Sequence, residues 1–133
     1  MTITRGIAVL FAVSIGLTGC GSSSPASQSG ITSNQIHVTE LSSPVGGLSA
    51  YEVVQRYKSH WLQKRGSTSI NHPVSIKVYL DGAGSPYGSV ESLRQIPAAD
   101  ITTITHFNAS EAQFRFGLGN VAGAILVETK PAD

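Results

Sequence analysis

The most apolar stretch of this 133-residue chain lies at its start, where Gly6 to Leu17 holds Ser14 as its one polar side chain. At about a dozen residues it falls short of the roughly 20 that a bilayer-spanning helix needs. With Arg5 just before it, it has the form of the hydrophobic region of an export signal. The segment from Gly21 to Gly30 reads GSSSPASQSG and has no charge and no large apolar side chain. Such a stretch buries too little surface to offset its chain entropy, so it reads as a flexible tether. The fold must therefore come from the remainder. The overall hydrophobic share of 41% overstates the core available to it, because part of that share sits in the first nineteen residues. The length suits one domain.

The apolar run ends in Leu17-Thr18-Gly19-Cys20, and Cys20 is the only cysteine. Leucine three residues before cysteine, with small residues between, resembles the lipobox of bacterial lipoproteins. That resemblance implies cleavage before Cys20, acylation of its thiol with palmitate or a similar chain, and often acylation of the new amine. One acyl chain holds a protein to a bilayer weakly, and two or three hold it durably. Gly21, being a residue other than aspartate, implies sorting to the outer membrane by the rule of Gram-negative lipoproteins. The expected organisation is a signal peptide over 1–19, a lipidated cysteine and tether over 20–48, and a folded domain over 49–133. The lone cysteine rules out an internal disulfide and a cysteine zinc cluster.

The domain reads element by element. Ser49-Ala50-Tyr51-Glu52 has the form of a capping box. Ala50, Val53, Val54, Tyr57, Trp61 and Leu62 recur at helical steps, which predicts a helix over about 50–64, stopped by Gly66. Val74 to Leu80 alternates, which predicts a half-buried strand with Tyr79 on the polar side. Asp81-Gly82 opens a turn, and Gly84, Pro86 and Gly88 prolong it. Ser89 is positioned to cap a short helix to Gln95 that buries Val90 and Leu93. Ile101–Phe107 is rich in Thr and Ile and predicts a strand. Asn108 caps a second helix carrying Ala109, Ala112, Phe114 and Phe116. Ala124–Thr129 predicts a last strand, apolar on both faces and hence central. Upstream, Ile36 and Val38 alternate around His37 in what could form a short strand. The fold class expected is α+β, a small sheet with short helices packed on it.

Five runs occur in order and at compatible spacing over about residues 74–130: Val78-Tyr79-Leu80-Asp81-Gly82, Leu93 to Ile104 with Ile96-Pro97 and Asp100-Ile101, Ala109-Ser110-Glu111-Ala112, Phe116-Gly117, and Gly123 to Lys130. Together they resemble the plug domain of TonB-dependent outer-membrane receptors. The matched positions Asp81, Gly82, Pro97, Asp100, Gly117 and Gly123 carry scaffold roles: turns, a left-handed stop after a helix, and close approach beside the last strand. A receptor needs a transmembrane β-barrel of many strands, for which these 133 residues have no room. The resemblance therefore implies a plug-like domain reused on a lipid anchor, not a transporter. The Ile36 to Thr39 segment resembles the strand-like receptor segment that contacts TonB only faintly.

Composition and motifs narrow the chemistry. Arg5 is the only charge before Cys20, so eight of the nine Lys+Arg remain against eight Asp+Glu, and the mature chain is near neutral. No basic stripe fit for nucleic acid is present; Arg56, Lys58, Lys64 and Arg65 are scattered along the first helix. His37, His60, His72 and His106 form no metal-ligand spacing, and no catalytic motif, phosphate loop or dinucleotide fingerprint occurs. The expectation is a protein without catalytic residues, metal or cofactor. Tyr51, Tyr57 and Trp61 read first as core and second as a partner surface. The function expected is that of a non-enzymatic binding or structural module at the periplasmic face of a membrane. It would meet an envelope protein, with an outer-membrane complex as one setting, through a sheet edge or a loop such as Gly82–Gly88 or Gly117–Gly123. The alternative is a periplasmic small-ligand carrier or sensor whose glycine loops shape a pocket.

Overall fold

The computed structural model describes residues 29–63 and 74–131. Residues 1–19, expected to form a signal peptide, Cys20, the segment 21–28, Gly66 and His72 lie outside them. The domain is α+β, built on a five-stranded mixed sheet. Its strands are β1 (Gln35–His37), β2 (Lys77–Leu80), β3 (Gly88–Ser89), β4 (Ile101–Phe107) and β5 (Ala124–Thr129), in the order β1-β4-β5-β2-β3. β5 runs parallel to β2 and antiparallel to β4, and β1 and β3 are antiparallel to their neighbours. The helices are α1 (Ala50–Lys58) and α2 (Ala109–Phe116), with 3₁₀ turns at 38–40, 59–62, 90–95 and 98–100.

β5 occupies the middle of the sheet, as its two apolar faces predict. Ile125 and Val127 point into the larger core, with α1, Trp61, Ile36, Leu93 and Ile104. Ala124 and Leu126 point into a smaller core with Tyr79 and Ala112, flanked by Phe107 and Phe116 of α2's side. Helical residues on both faces bury a strand that has no polar face to give to water.

Four expectations need correction. The domain does not begin near Ser49. Ile36 and Val38 are 0% and 4% exposed, and β1 pairs with β4 through Gln35–Thr105 and His37–Thr103. Residues 29–48, assigned to the tether, thus belong in large part to the fold. The α-helix from Ala50 stops at Lys58, whose φ of −144° and ψ of 50° leave the helical region. The chain continues as a 3₁₀ turn that sets Trp61 parallel to His106 at 5.3 Å. The strand expected from Val74 is regular only over Lys77–Leu80, and Tyr79 is 2% exposed because α2 covers the face it lies on. The short helix of 90–95 is 3₁₀ and has no side-chain cap; the Ser92 hydroxyl donates to the Ser89 carbonyl at 2.6 Å instead.

Candidate functional site

The scaffold residues picked from the sequence fall at two opposite ends of the sheet. β2 and β5 are parallel, so the loop after β2 and the loop before β5 lie at opposite poles. Asp81 and Gly82 stand at the first pole with successive positive φ of 49° and 70°, the pattern of a tight hairpin turn. The Asp81 carboxylate accepts from the Thr129 amide at 2.6 Å and from its hydroxyl at 2.9 and 3.0 Å. It thereby ties the turn to the end of β5. The same end holds Asp100, whose carbonyl accepts from the Lys130 amide at 2.8 Å, and Pro97, paired to Ser49 across an isolated bridge.

Gly117 and Gly123 stand at the second pole. Gly117 ends α2 at φ 87° and ψ 178°, a positive-φ stop although not the left-handed helical one expected. Gly123 has φ of 91°, and a Cβ there would sit 2.6 Å from the Phe107 carbonyl oxygen. Between them Asn120 is 1% exposed; its side-chain amide donates to the Gly117 carbonyl at 2.9 Å, and its oxygen accepts from the Tyr79 hydroxyl at 3.0 Å. The loop is therefore pinned from beneath. Sequence reasoning passed over Asn120, whose partner Tyr79 was assigned to the solvent face.

Above that pin the loop exposes apolar side chains. Leu118 is 92% and Val121 52% exposed, and Phe114 of α2 is 95% exposed. Phe114 was expected on the inner stripe of its helix. Ala112 and Phe116, four residues apart, form that stripe, and a residue two positions from each points about 200° away from both. Arg115 lies over the Phe107 and Phe116 rings at 5.2 and 5.7 Å. Together with Asn34, Phe107, Glu111 and Phe114 it lines an open groove of about 290 Å³. Just before β3, on the outer edge of the sheet, Tyr87 is 47% exposed, and its amide donates to the Val78 carbonyl at 2.8 Å.

Elsewhere several polar groups are paired, and among the described residues no buried side-chain nitrogen or oxygen lacks a partner. Arg94 pairs with Glu91 at 3.0 Å, which raises its pKa, and its guanidinium lies 3.6 Å over the Tyr51 ring. Glu52 is held below the usual carboxylate range by the Ser49 amide and then by the Ser49 hydroxyl. Both line a groove of about 500 Å³ with Ser49 and Gln95. His37 contacts the Thr103 hydroxyl at 3.3 Å, and Trp61, 2% exposed, joins the core between His60 and His106. Tyr51 and Tyr57 pack partly buried against that core. Among the described residues no three His, Cys, Asp or Glu side chains gather as metal ligands, and no helix is long and apolar enough to cross a membrane. Comparison with protein families, curated proteins and solved structures finds no match to this chain.

Proposed function

We propose that this chain is a lipid-anchored cell-envelope protein, held through Cys20 to a membrane and facing the periplasm, with the outer membrane as its expected location. Its domain, plug-like in sequence, works by contact and not by catalysis. The observation that carries the reading is the pair of loops at opposite poles of the sheet. Each is fixed from within, by Asp81–Thr129 at one end and Tyr79–Asn120 at the other, while Leu118 and Val121 on the second loop and Tyr87 near the end of the first stand out in water. Ordered, exposed apolar groups are a cost to a free monomer and mark contact surfaces. An envelope protein would meet the Gly82–Gly88 loop, where Tyr87 on the outer edge of the sheet offers an aromatic anchor. A small-ligand carrier would need a deep apolar cavity, and the groove beside Phe114 is open, so this reading comes second.

Two measurements test the proposal. Cys20→Ser should move the protein from the membrane to the soluble fraction of the envelope; unchanged processing and membrane retention would refute the anchor. Crosslinking in intact envelopes from a photoreactive group at Tyr87 should capture a defined protein, and recovery of none would refute the partner.

A further inference from the structure

We propose that the pole formed by Phe114, Leu118 and Val121 rests on the bilayer surface itself, so that the domain is oriented on its membrane as well as tethered to it. The inference rests on the lipid anchor proposed at Cys20. Four large apolar side chains are exposed among the described residues, and three of them fall at this pole. The loop that carries Leu118 and Val121 is open to solvent: a Cβ added at Gly117 would meet nothing within 4 Å, and one at Gly119 would meet only the Lys77 ammonium. An exposed apolar surface with cations beside it suits the boundary between phospholipid headgroups and acyl chains, where apolar side chains enter and Lys or Arg meet phosphate. Lys77 and Arg115 supply the cations. The neighbouring acid, Glu111, is occupied in capping α2, where it accepts from the Asn108 amide at 3.0 Å.

The covalent geometry permits the contact. Nine residues lead from Cys20 to Ser29, a span of at most about 30 Å. The chain then joins the sheet at its β1 edge, where the Gly30 carbonyl accepts from the His37 amide and Ile31 bridges Ile36. His37 pairs with Thr103, and four residues further along β4, about 13 Å, lies Phe107, next to the capping residue of α2. The apolar pole is thus within reach of an anchor at Cys20. With that pole down, the Asp81–Gly82 turn at the other end of β2 faces away from the lipid, toward the periplasm.

The test uses the full lipidated chain, purified from envelopes and reconstituted into phosphatidylcholine–phosphatidylglycerol vesicles whose acyl chains carry bromine. Bromine quenches an indole only where the indole enters the acyl region. Two variants, Leu118→Trp and Ala83→Trp, the second at an exposed residue of the Asp81–Gly82 turn, are compared with the unsubstituted chain, whose Trp61 is buried and supplies a common background. The expected result is that the emission added by Leu118→Trp shifts to the blue and loses most of its intensity, while that added by Ala83→Trp does neither. If both variants stay with the vesicles and neither is quenched, or both are quenched alike, the docking pole is refuted and the anchor stands. If the chain does not stay with the vesicles, the anchor fails and the docking inference falls with it. Crosslinking in envelopes from position 118 to one defined protein would also overturn it, in favour of a protein occupant.

Discussion

At the residue scale, Gly123 shows how a sequence signal can be read correctly for a local reason. A glycine just before the last strand suggested a close backbone approach, and the approach is the 2.6 Å that a Cβ would leave to the Phe107 carbonyl. Gly123→Ala meets that clash and a φ of 91° together, and the atom it meets is backbone that cannot step aside. We expect a loss of about 1–3 kcal/mol, read as a lower urea midpoint. Gly82→Ala is the control: its φ of 70° is also positive, but nothing lies within 4 Å, so its loss should be the smaller of the two. Asp81 shows the opposite case. Its turn role was legible from the Asp-Gly pair, but its bonds to Thr129 were not, because the two residues are 48 apart in the chain. A dipeptide reports its own backbone preference and carries no record of the strand end beside which it will fold.

At the element scale, both α-helices were legible because their start signals are compact. Ser49 with Glu52 and Asn108 with Glu111 form complete capping boxes. Ser49→Ala should cost about 1 kcal/mol in chemical denaturation. The Glu52 half of that box has a pH signature. Its carboxylate is favoured in the folded state, so its folded pKa lies below its unfolded one. The stabilisation is therefore full above the unfolded value and fades as pH falls through the folded one. Between about pH 5 and pH 3, the urea midpoint of Glu52→Gln should fall less steeply than that of the unsubstituted chain; parallel slopes would show that the Glu52 charge contributes nothing. The other helical segments were less legible. Six residues at 90–95 can show a helical apolar spacing whether they fold as α or as 3₁₀, since Val90 and Leu93 are three apart in either. Phe114 was misplaced for a related reason: in so short a helix, an apolar residue off the inner stripe looks like part of it until the angles are counted. That misplaced residue is also the most exposed member of the candidate site, so the site was legible only as a loop between two glycines.

At the scale of the whole molecule, the sheet's composition was legible and the membership of its near edge was not. The central strand announced itself by being apolar on both faces. The alternation of Ile36 and Val38 around His37 suggested a short strand, but β1 is only three residues long, and nothing local shows that a distant partner holds it in the fold: the His37–Thr103 contact spans 66 positions. The boundary placed near Ser49 therefore cuts through the fold, and this can be tested directly. A chain beginning at Ser49 would lack Ile36 and Val38, both inside the larger core, whose burial contributes about 1.5–3 kcal/mol each. It would also leave the backbone groups of β4 that face β1 without partners, on an edge that now carries Ile104 uncovered. Against a total stability of about 5–15 kcal/mol for a domain of ordinary size, a loss of that order removes much of the margin. A chain beginning at Ser29 keeps β1 and should give a cooperative thermal transition by circular dichroism. The chain beginning at Ser49 should give none, or should aggregate through its open β4 edge. Equal melting of the two would mean that β1 is an appendage to the sheet, and that the self-sufficient unit is the part from α1 onward.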